Sequence, residues 1–208
     1  MAKRKVKRTY YESLYEIAAA INSARTPESV IGSIVEMVAQ SLDAKGCSIM
    51  LLTPDKKRLL HTAAYGLSDE YIRKGPYAAD QSIAETLNSG PICILDASTD
   101  TRMQYPEFQT KEGICSILSV PMVLRDEVIG VMRVYTGEPH YFSSDEMYFL
   151  AAVANLGAIA LENAELYEFV QKDYETIRRE LLEWRAAFGD EWIGQGPGVV
   201  AHDWWKFI

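Results

Sequence analysis

The chain has 208 residues, a formal charge of -8, three Cys and 48% hydrophobic residues. That length suits one domain, or one domain with an appendage, and the balance of apolar and charged residues excludes wholesale disorder. Cys47, Cys93 and Cys115 form no CxxC pair, which excludes a disulfide scaffold and a Cys-based zinc cluster.

Charge is unevenly spread. Lys3, Arg4, Lys5, Lys7 and Arg8 sit within the first eight residues, leaving 16 basic against 29 acidic residues, so the remainder carries -13. A body that acidic does not suit general nucleic-acid binding, which needs clustered Lys and Arg against phosphates. Residues 1–8 read as a solvated basic tail. No apolar run approaches the roughly 20 residues of a membrane span, and no apolar h-region follows the basic start, so the expected location is the cytoplasm.

Residues 9–24 put Leu14, Ile17, Ala18 and Ile21 on one helical stripe. A second helix restarts at Thr26-Pro27-Glu28, with Thr as cap, Pro at the first helical position and Glu at the positive end of the dipole. Its apolar set runs from Val30 to Leu42. Cys47–Leu52 and Leu59–Tyr65 read as a strand hairpin across Pro54-Asp55. Ser68-Asp69-Glu70 opens a short helix, and Ser82-x-x-Glu85 is a capping box opening another that ends at Gly90. Pro91–Leu95 is a short strand, and residues 99–113 form a loop with one helical turn. Ile114–Leu124 and Glu127–Thr136 then make a hairpin across Arg125-Asp126, apolar on both faces, as in a sheet covered on both sides.

Ser143-x-x-Glu146 is a further capping box, and it begins the longest element. From Phe149 a 3.5-residue repeat runs through Val153, Leu156, Ala160, Asn163, Tyr167, Val170, Tyr174, Ile177, Leu181, Trp184 and Phe188. A helix lying only on its own sheet would follow 3.6 and drift by about 20° per heptad, whereas a supercoiled partner requires the narrower seam. The expected dimer seam is Leu156, Ala160, Asn163, Tyr167, Val170, Tyr174, Ile177, Leu181 and Trp184, with the second half of the helix projecting. Beyond Gly189 the chain is rich in Gly and Trp; Trp192, Trp204, Trp205 and Phe207 either fold back or await a partner.

Four motifs, in order, resemble those of the GAF domain family. Ile117-Leu118-Ser119-Val120-Pro121-Met122 resembles its "S-x-L-x-V-P-L" strand, and Val128-Ile129-Gly130-Val131-Met132-Arg133 its "I-G-V-L-x-L" strand. Phe142-Ser143-Ser144-Asp145-Glu146 is similar to "F-[ST]-x-[DE]-[DE]", and Ala160–Tyr167 to the closing "A-I-E-N-A-R-L-Y". The resemblance implies an α+β fold: an antiparallel sheet with N- and C-terminal helices on one face, a helical and loop insert over the other, and a small-ligand pocket there. It divides the chain into a basic tail (1–8), the domain (9–170), a projecting coiled-coil helix (171–188) and a Gly/Trp-rich tail (189–208).

The same resemblance sets limits on the ligand. Cyclic-nucleotide-binding members carry an Asn-Lys pair where this chain has Thr136-Gly137-Glu138. Bilin attachment needs a Cys beside a suitable His in the insert, and residues 66–90 contain neither. Haem needs an axial ligand, and His61 lies mid-strand while His140 and His202 lie in loop and tail. Methionine sulfoxide reductases of this family use loop thiols, whereas the three Cys here sit in apolar strand segments.

Alternation along Val128–Tyr135 puts Val131, Arg133 and Tyr135 on one face and Gly130, Met132 and Val134 on the other. The apolar face suits the terminal helices, so Arg133 points towards the insert, where it wants an anionic ligand or one of Asp80, Asp96 and Asp100. The expected ligand-binding set is Met50, His61, Tyr65, Asp96, Met103, Tyr105, Ser116, Leu118, Arg133 and Tyr135, with no catalytic or metal-ligating residue. The functional expectation is a dimeric sensory domain binding an unidentified small ligand, with a possible protein partner at the C-terminal helix or tail. The alternatives are a ligand-free dimerisation module or a thiol-dependent methionine sulfoxide reductase.

Overall fold

The computed structural model describes residues 9–23, 26–80 and 84–188. The basic tail, the Ser82 cap and the Gly/Trp-rich tail lie outside them. Two compact units divide the chain, residues 1–165 and 166–208.

Local chemistry accounts for most elements of the first unit. Helix α1 is Tyr10–Ser23 and α2 is Pro27–Ser41. At the start of α2 the Thr26 hydroxyl accepts from the Ser29 amide while Ser29 Oγ accepts from the Thr26 amide, which satisfies two otherwise orphaned donors. Strands β1 (Gly46–Leu52) and β2 (Arg58–Tyr65) form the first hairpin. The insert then supplies α3 (Asp69–Ile72), β3 (Tyr77–Ala78), α4 (Ala84–Ser89), β4 (Ile92–Ile94) and α5 (Pro106–Glu112). Strands β5 (Ser116–Leu124) and β6 (Glu127–Thr136) follow, and α6 (Ser144–Phe188) closes the order. Arg125 and Asp126 both take positive φ, the backbone a two-residue hairpin needs to match strand twist.

Two insert elements exceed the sequence expectation. Helix α5 has two turns rather than one, because Pro106 is preset for a first helical position and Gly113, left-handed at φ 69, stops it. Strand β3 is only two residues long and carries no alternation to read.

The six strands are ordered β3-β2-β1-β6-β5-β4, all neighbours antiparallel. One face packs under the terminal helices: Cys47, Ile49, Leu118, Val120, Met122, Met132 and Val134 join Ile17, Ile34, Val38, Leu150, Val153 and Ala158 in a single core. The other face meets the insert through Ile117 and Tyr135 in one cluster and Met50, Leu59 and Val131 in another. Close approach is built in at Gly157 of α6, where a Cβ would stand 3.3 Å from Ile34 Cδ1 and 4.0 Å from Met132 Cε.

By length and composition alone, one stretch of α6 within residues 144–186 is apolar enough to cross a membrane. Its Leu150, Val153, Ala154, Ala158 and Leu161 are buried in the domain core, which is why the stretch is apolar. Ala160, placed on the dimer seam by its spacing, belongs to that core as well and is only 4% exposed, so it faces its own domain and not a partner. Asn163 and Leu156 are exposed.

In the second unit the helix exposes Tyr167, Val170, Tyr174, Ile177 and Leu181 at 55–66% of their surface, and Trp184 at 46%. Leu166, Phe169 and Leu182 are exposed beside them, a wider apolar surface than a heptad seam alone.

Candidate functional site

The site begins with a polar row across the three central strands. Arg133 of β6 pairs with Ser48 of β1 on one side and Ser119 of β5 on the other. Directly opposed residues share a face, so all three point towards the insert. Arg133 is fully buried, and its Nε donates to Ser119 Oγ at 2.9 Å. Ser48 Oγ and the Tyr135 hydroxyl are hydrogen-bonded at 2.8 Å.

The insert lays aromatic rings over this row. Tyr71 and Tyr77 are buried, and their rings lie edge-on to His61 at 6.1 and 5.8 Å. Tyr77 has a cation on two approaches: Arg133 Cζ at 5.3 Å from its ring centre and Lys74 Nζ at 5.0 Å. Lys74 Nζ also stands 3.0 Å over the Tyr71 ring and donates to the Tyr71 carbonyl. Tyr71 is held from beneath by Gln109 of α5, whose Oε1 accepts its hydroxyl at 2.6 Å. Tyr105 packs on Tyr77 at 5.4 Å and donates to the Pro76 carbonyl, which pins the segment leading into β3. Met103 is buried among Tyr71, Ile117 and Tyr135.

Burial and mutual repulsion set the charge states. Burial first, then the charges of Lys74 and Arg133, push His61 down to about 3, so its ring is neutral. Burial and then Arg133 push Lys74 down to about 7, partly opposed by Glu112. Burial raises Tyr71, Tyr77 and Tyr135, which stay protonated. The result is a largely buried, positively charged cluster.

That cluster is incompletely satisfied. Both ring nitrogens of His61 are buried without a hydrogen-bond partner. The Tyr77 hydroxyl approaches Tyr71 and Gln109 but completes no hydrogen bond of proper geometry with either. Orphaned buried polar atoms cost about 1–3 kcal/mol each, and in a folded domain they mark a place for water or ligand. Beside the cluster, a cleft of about 240 Å³ lies between α3 and α5, lined by Ser68, Glu70, Tyr71, Phe108, Lys111 and Glu112. No group of three metal-ligating side chains gathers among the described residues.

Of the expected ligand-binding residues, Met50, His61, Met103, Tyr105, Arg133 and Tyr135 converge on the insert side. Four do not. Tyr65 pairs with Cys47 on the helix side, because the β1–β2 register shifts between Ile49 and Met50 and reverses the alternation. Leu118 pairs with Val134 and belongs to the helix-side core, so its neighbour Ser119 takes the inward position. Ser116 shares the face of Leu118; its Oγ donates to the Leu95 carbonyl and accepts from the His140 amide. Asp96 is exposed in a turn and accepts from the Ser98 amide and hydroxyl. As for the acids suggested as partners of Arg133, Asp100 grips Arg102 and Asp80 is exposed.

Sequence reasoning missed Ser48, Ser119, Tyr71, Lys74, Tyr77 and Gln109. Ser48 and Ser119 carried a usable signal, a single hydroxyl inside an otherwise apolar strand run. The insert residues carried none.

Cys47 and Cys93 are placed as small apolar groups, whereas Cys115 precedes β5, is partly exposed and has its Sγ 3.9 Å from the Leu95 carbonyl oxygen. Cys47 is buried and pushed well above the usual thiol range, Cys93 is raised by burial and then by Glu146, and Cys93 Sγ lies 3.8 Å from Met147 Sδ.

An antiparallel six-stranded sheet with terminal helices on one face and a polar cluster under an insert on the other defines an α+β domain class. The GAF domain family matches residues 24–162, and the chain belongs to that family. It is similar to the phosphoenolpyruvate-dependent phosphotransferase system protein of Escherichia coli (strain K12), at 25% identity over 195 residues. That match covers 93% of this chain and 24% of the relative, so the chain spans about a quarter of the relative's length. Among solved structures, the GAF domain of an Acinetobacter phosphoenolpyruvate-protein phosphotransferase matches with TM-score 0.66 and 23% identity, over 76% of this chain and 96% of that one. Free methionine-R-sulfoxide reductase from Neisseria meningitidis, in complex with its substrate, matches with TM-score 0.65 and 12% identity, over 80% of this chain and 95% of that one. At these identities the two structures establish the fold alone.

Proposed function

We propose that this chain is a cytoplasmic sensory GAF domain whose insert-side cluster binds a small acidic ligand and whose exit helix reports occupancy to a second copy. One observation carries the ligand reading: the neutral His61 ring and the Tyr77 hydroxyl are buried without hydrogen-bond partners between the cations of Arg133 and Lys74. A carboxylate or phosphate would screen the two cations from each other, and its remaining polar atoms would meet His61 and Tyr77.

The sheet supplies a route outward. Met132 sits next to Arg133 but on the opposite face, where its Cε lies within reach of a Cβ at Gly157 of α6. A ligand that draws Arg133 inward displaces β6, and Met132 meets α6 at Gly157 together with Ile34 and Met122. Such a device works only if the ligand has different affinities for the two positions. The reader is α6, where Tyr167, Val170, Tyr174, Ile177 and Leu181 repeat by threes and fours and are exposed. A second copy of the same helix is the occupant that a heptad stripe fits. Further apolar residues on this helix suit an output protein.

The thiol-enzyme reading draws less support, since burial keeps the Cys47 and Cys93 thiols protonated and a working thiol needs the opposite. Native mass spectrometry of the purified protein tests the ligand reading. A small acid released on denaturation supports it, and its absence from repeated preparations, with no uptake of added acids, counts against it.

A further inference from the structure

Among the described residues, the contacts between α3 and α5 join the cluster to an open cleft. Tyr71 is shared by two spaces. One side of the residue lines the 240 Å³ cleft, while its ring carries Lys74 Nζ at 3.0 Å and lies 5.8 Å from Tyr135 and 6.1 Å from His61. It is therefore the wall between the cleft and the cationic cluster. We infer that the α3–α5 cleft is the portal of the ligand site, that Tyr71 is its door, and that Glu112 and Lys111 of α5 hold the door shut. The inference rests on the ligand reading for what passes through, but not for whether the door opens.

The latch consists of contacts that release easily. Glu112 accepts from the Ser68 amide through Oε1 and from the Ser68 hydroxyl through Oε2. Lys111 pairs with Glu70, with more than half of each side chain exposed to water. Exposed pairs of this kind are individually weak. Between them they hold a single helical turn, α3, whose own backbone contributes little because so short a helix lacks cooperative support. Ser68 is also the cap of that turn, its hydroxyl accepting from the Tyr71 amide, so the acid that closes the cleft grips the residue that starts the helix. Behind the door, Gln109 is the positioning residue: it is fully buried and receives the Tyr71 hydroxyl. Opening thus requires the buried Tyr71–Gln109 hydrogen bond, the two Ser68–Glu112 hydrogen bonds and the Lys111–Glu70 pair to break, and the Tyr71 ring to leave its apolar neighbours. The surface contacts are the part of that cost that substitution can remove without touching the core.

Accessibility of a thiol behind the door tests this without any ligand. In a Cys93→Ser, Cys115→Ser background, His61→Cys places a reporter behind Tyr71, and an anionic methanethiosulfonate reagent is the probe, read by intact mass. Glu112→Gln combined with Lys111→Met should speed modification at least tenfold, whereas Glu127→Gln, which breaks the remote Lys56 pair, should leave the rate unchanged. Equal rates with and without the latch overturn the inference, as does a rise of the same size in the Glu127 control. Should the reporter chain fail to fold, amide exchange in the otherwise native chain decides. The latch substitutions should accelerate exchange across residues 68–74 and leave β5 and β6 protected, and unchanged exchange in that segment overturns the portal. A door that opens onto a site binding no acid would leave the portal standing and remove the ligand reading.

Discussion

Arg133 and Ser119 stand directly opposite one another on β6 and β5, and the Arg133 Nε donates to the Ser119 hydroxyl at 2.9 Å in the buried interior. Leu118, one residue away, faces the opposite core. The two neighbours therefore answer to different measurements. Ser119→Ala leaves a buried charged donor without that acceptor, a cost of about 1–3 kcal/mol, and should weaken uptake of small acids. Leu118→Ala empties the helix-side core at about 2–5 kcal/mol and should leave acid uptake by the surviving folded protein unchanged. Denaturant melts combined with binding titrations separate the two, and the reverse pattern would mean that the strand faces the other way.

His61 sets a dependence of stability on acid. Its ordinary value is 6.5 and burial holds it near 3 in the folded chain, so the unfolded chain takes up a proton first. Stability is then fully present above about pH 6.5 and is lost as pH falls towards 3. Thermal melts from pH 7 to pH 4 should show a steeper loss for the native chain than for His61→Gln. Parallel curves would mean that the ring is not held neutral.

Lys74 acts in the other half of the pH range. Its folded value near 7 against an ordinary 10.5 means that the unfolded chain binds more protons between those limits, so stability rises with pH across them. The groups facing it are Arg133, always charged, the neutral His61, Tyr71 and Tyr77, and the carboxylate of Glu112. A bound acid favours the ammonium, so affinity for an acidic ligand should fall as pH rises through about 7. Calorimetric titrations at pH 6 and pH 8.5 should show that fall in the native chain and not in Lys74→Met.

The exposed stripe on α6 makes the chain a dimer at micromolar concentration in the proposed scheme. Tyr174→Glu with Leu181→Glu puts like charges into the seam and should convert a sedimenting dimer to a monomer without altering the thermal melt of the domain core. A native chain that sediments as a monomer would remove the seam.

The caps at Thr26, Ser68 and Ser143, both hairpins and the sidedness of β6 were legible in the sequence because each depends on neighbouring residues. Thr26, Ser143 and the Arg125-Asp126 turn act within three or four positions of themselves. Sidedness failed where it depended on register. One shift between Ile49 and Met50 was enough to send Tyr65 to the wrong face, and no local pattern marks it. The heptad repeat was likewise visible, but Ala160 satisfies its spacing while lying in the domain's own core. Lys74, Tyr71 and Tyr77 were illegible for a different reason. Tyr71 and Tyr77 sit on insert elements too short for periodicity and Lys74 lies between them, so only docking on the sheet gives them a role.

In the proposed scheme Arg133 makes this cluster a receptor for a small acid. A melting-temperature screen against a panel of organic acids and phosphate esters, run in parallel on the native chain and on Arg133→Met, tests it most directly. At least one acid should raise the native melting temperature and leave the folded Arg133→Met variant unmoved. An acid that stabilises both chains equally, or a panel that stabilises neither, would contradict it.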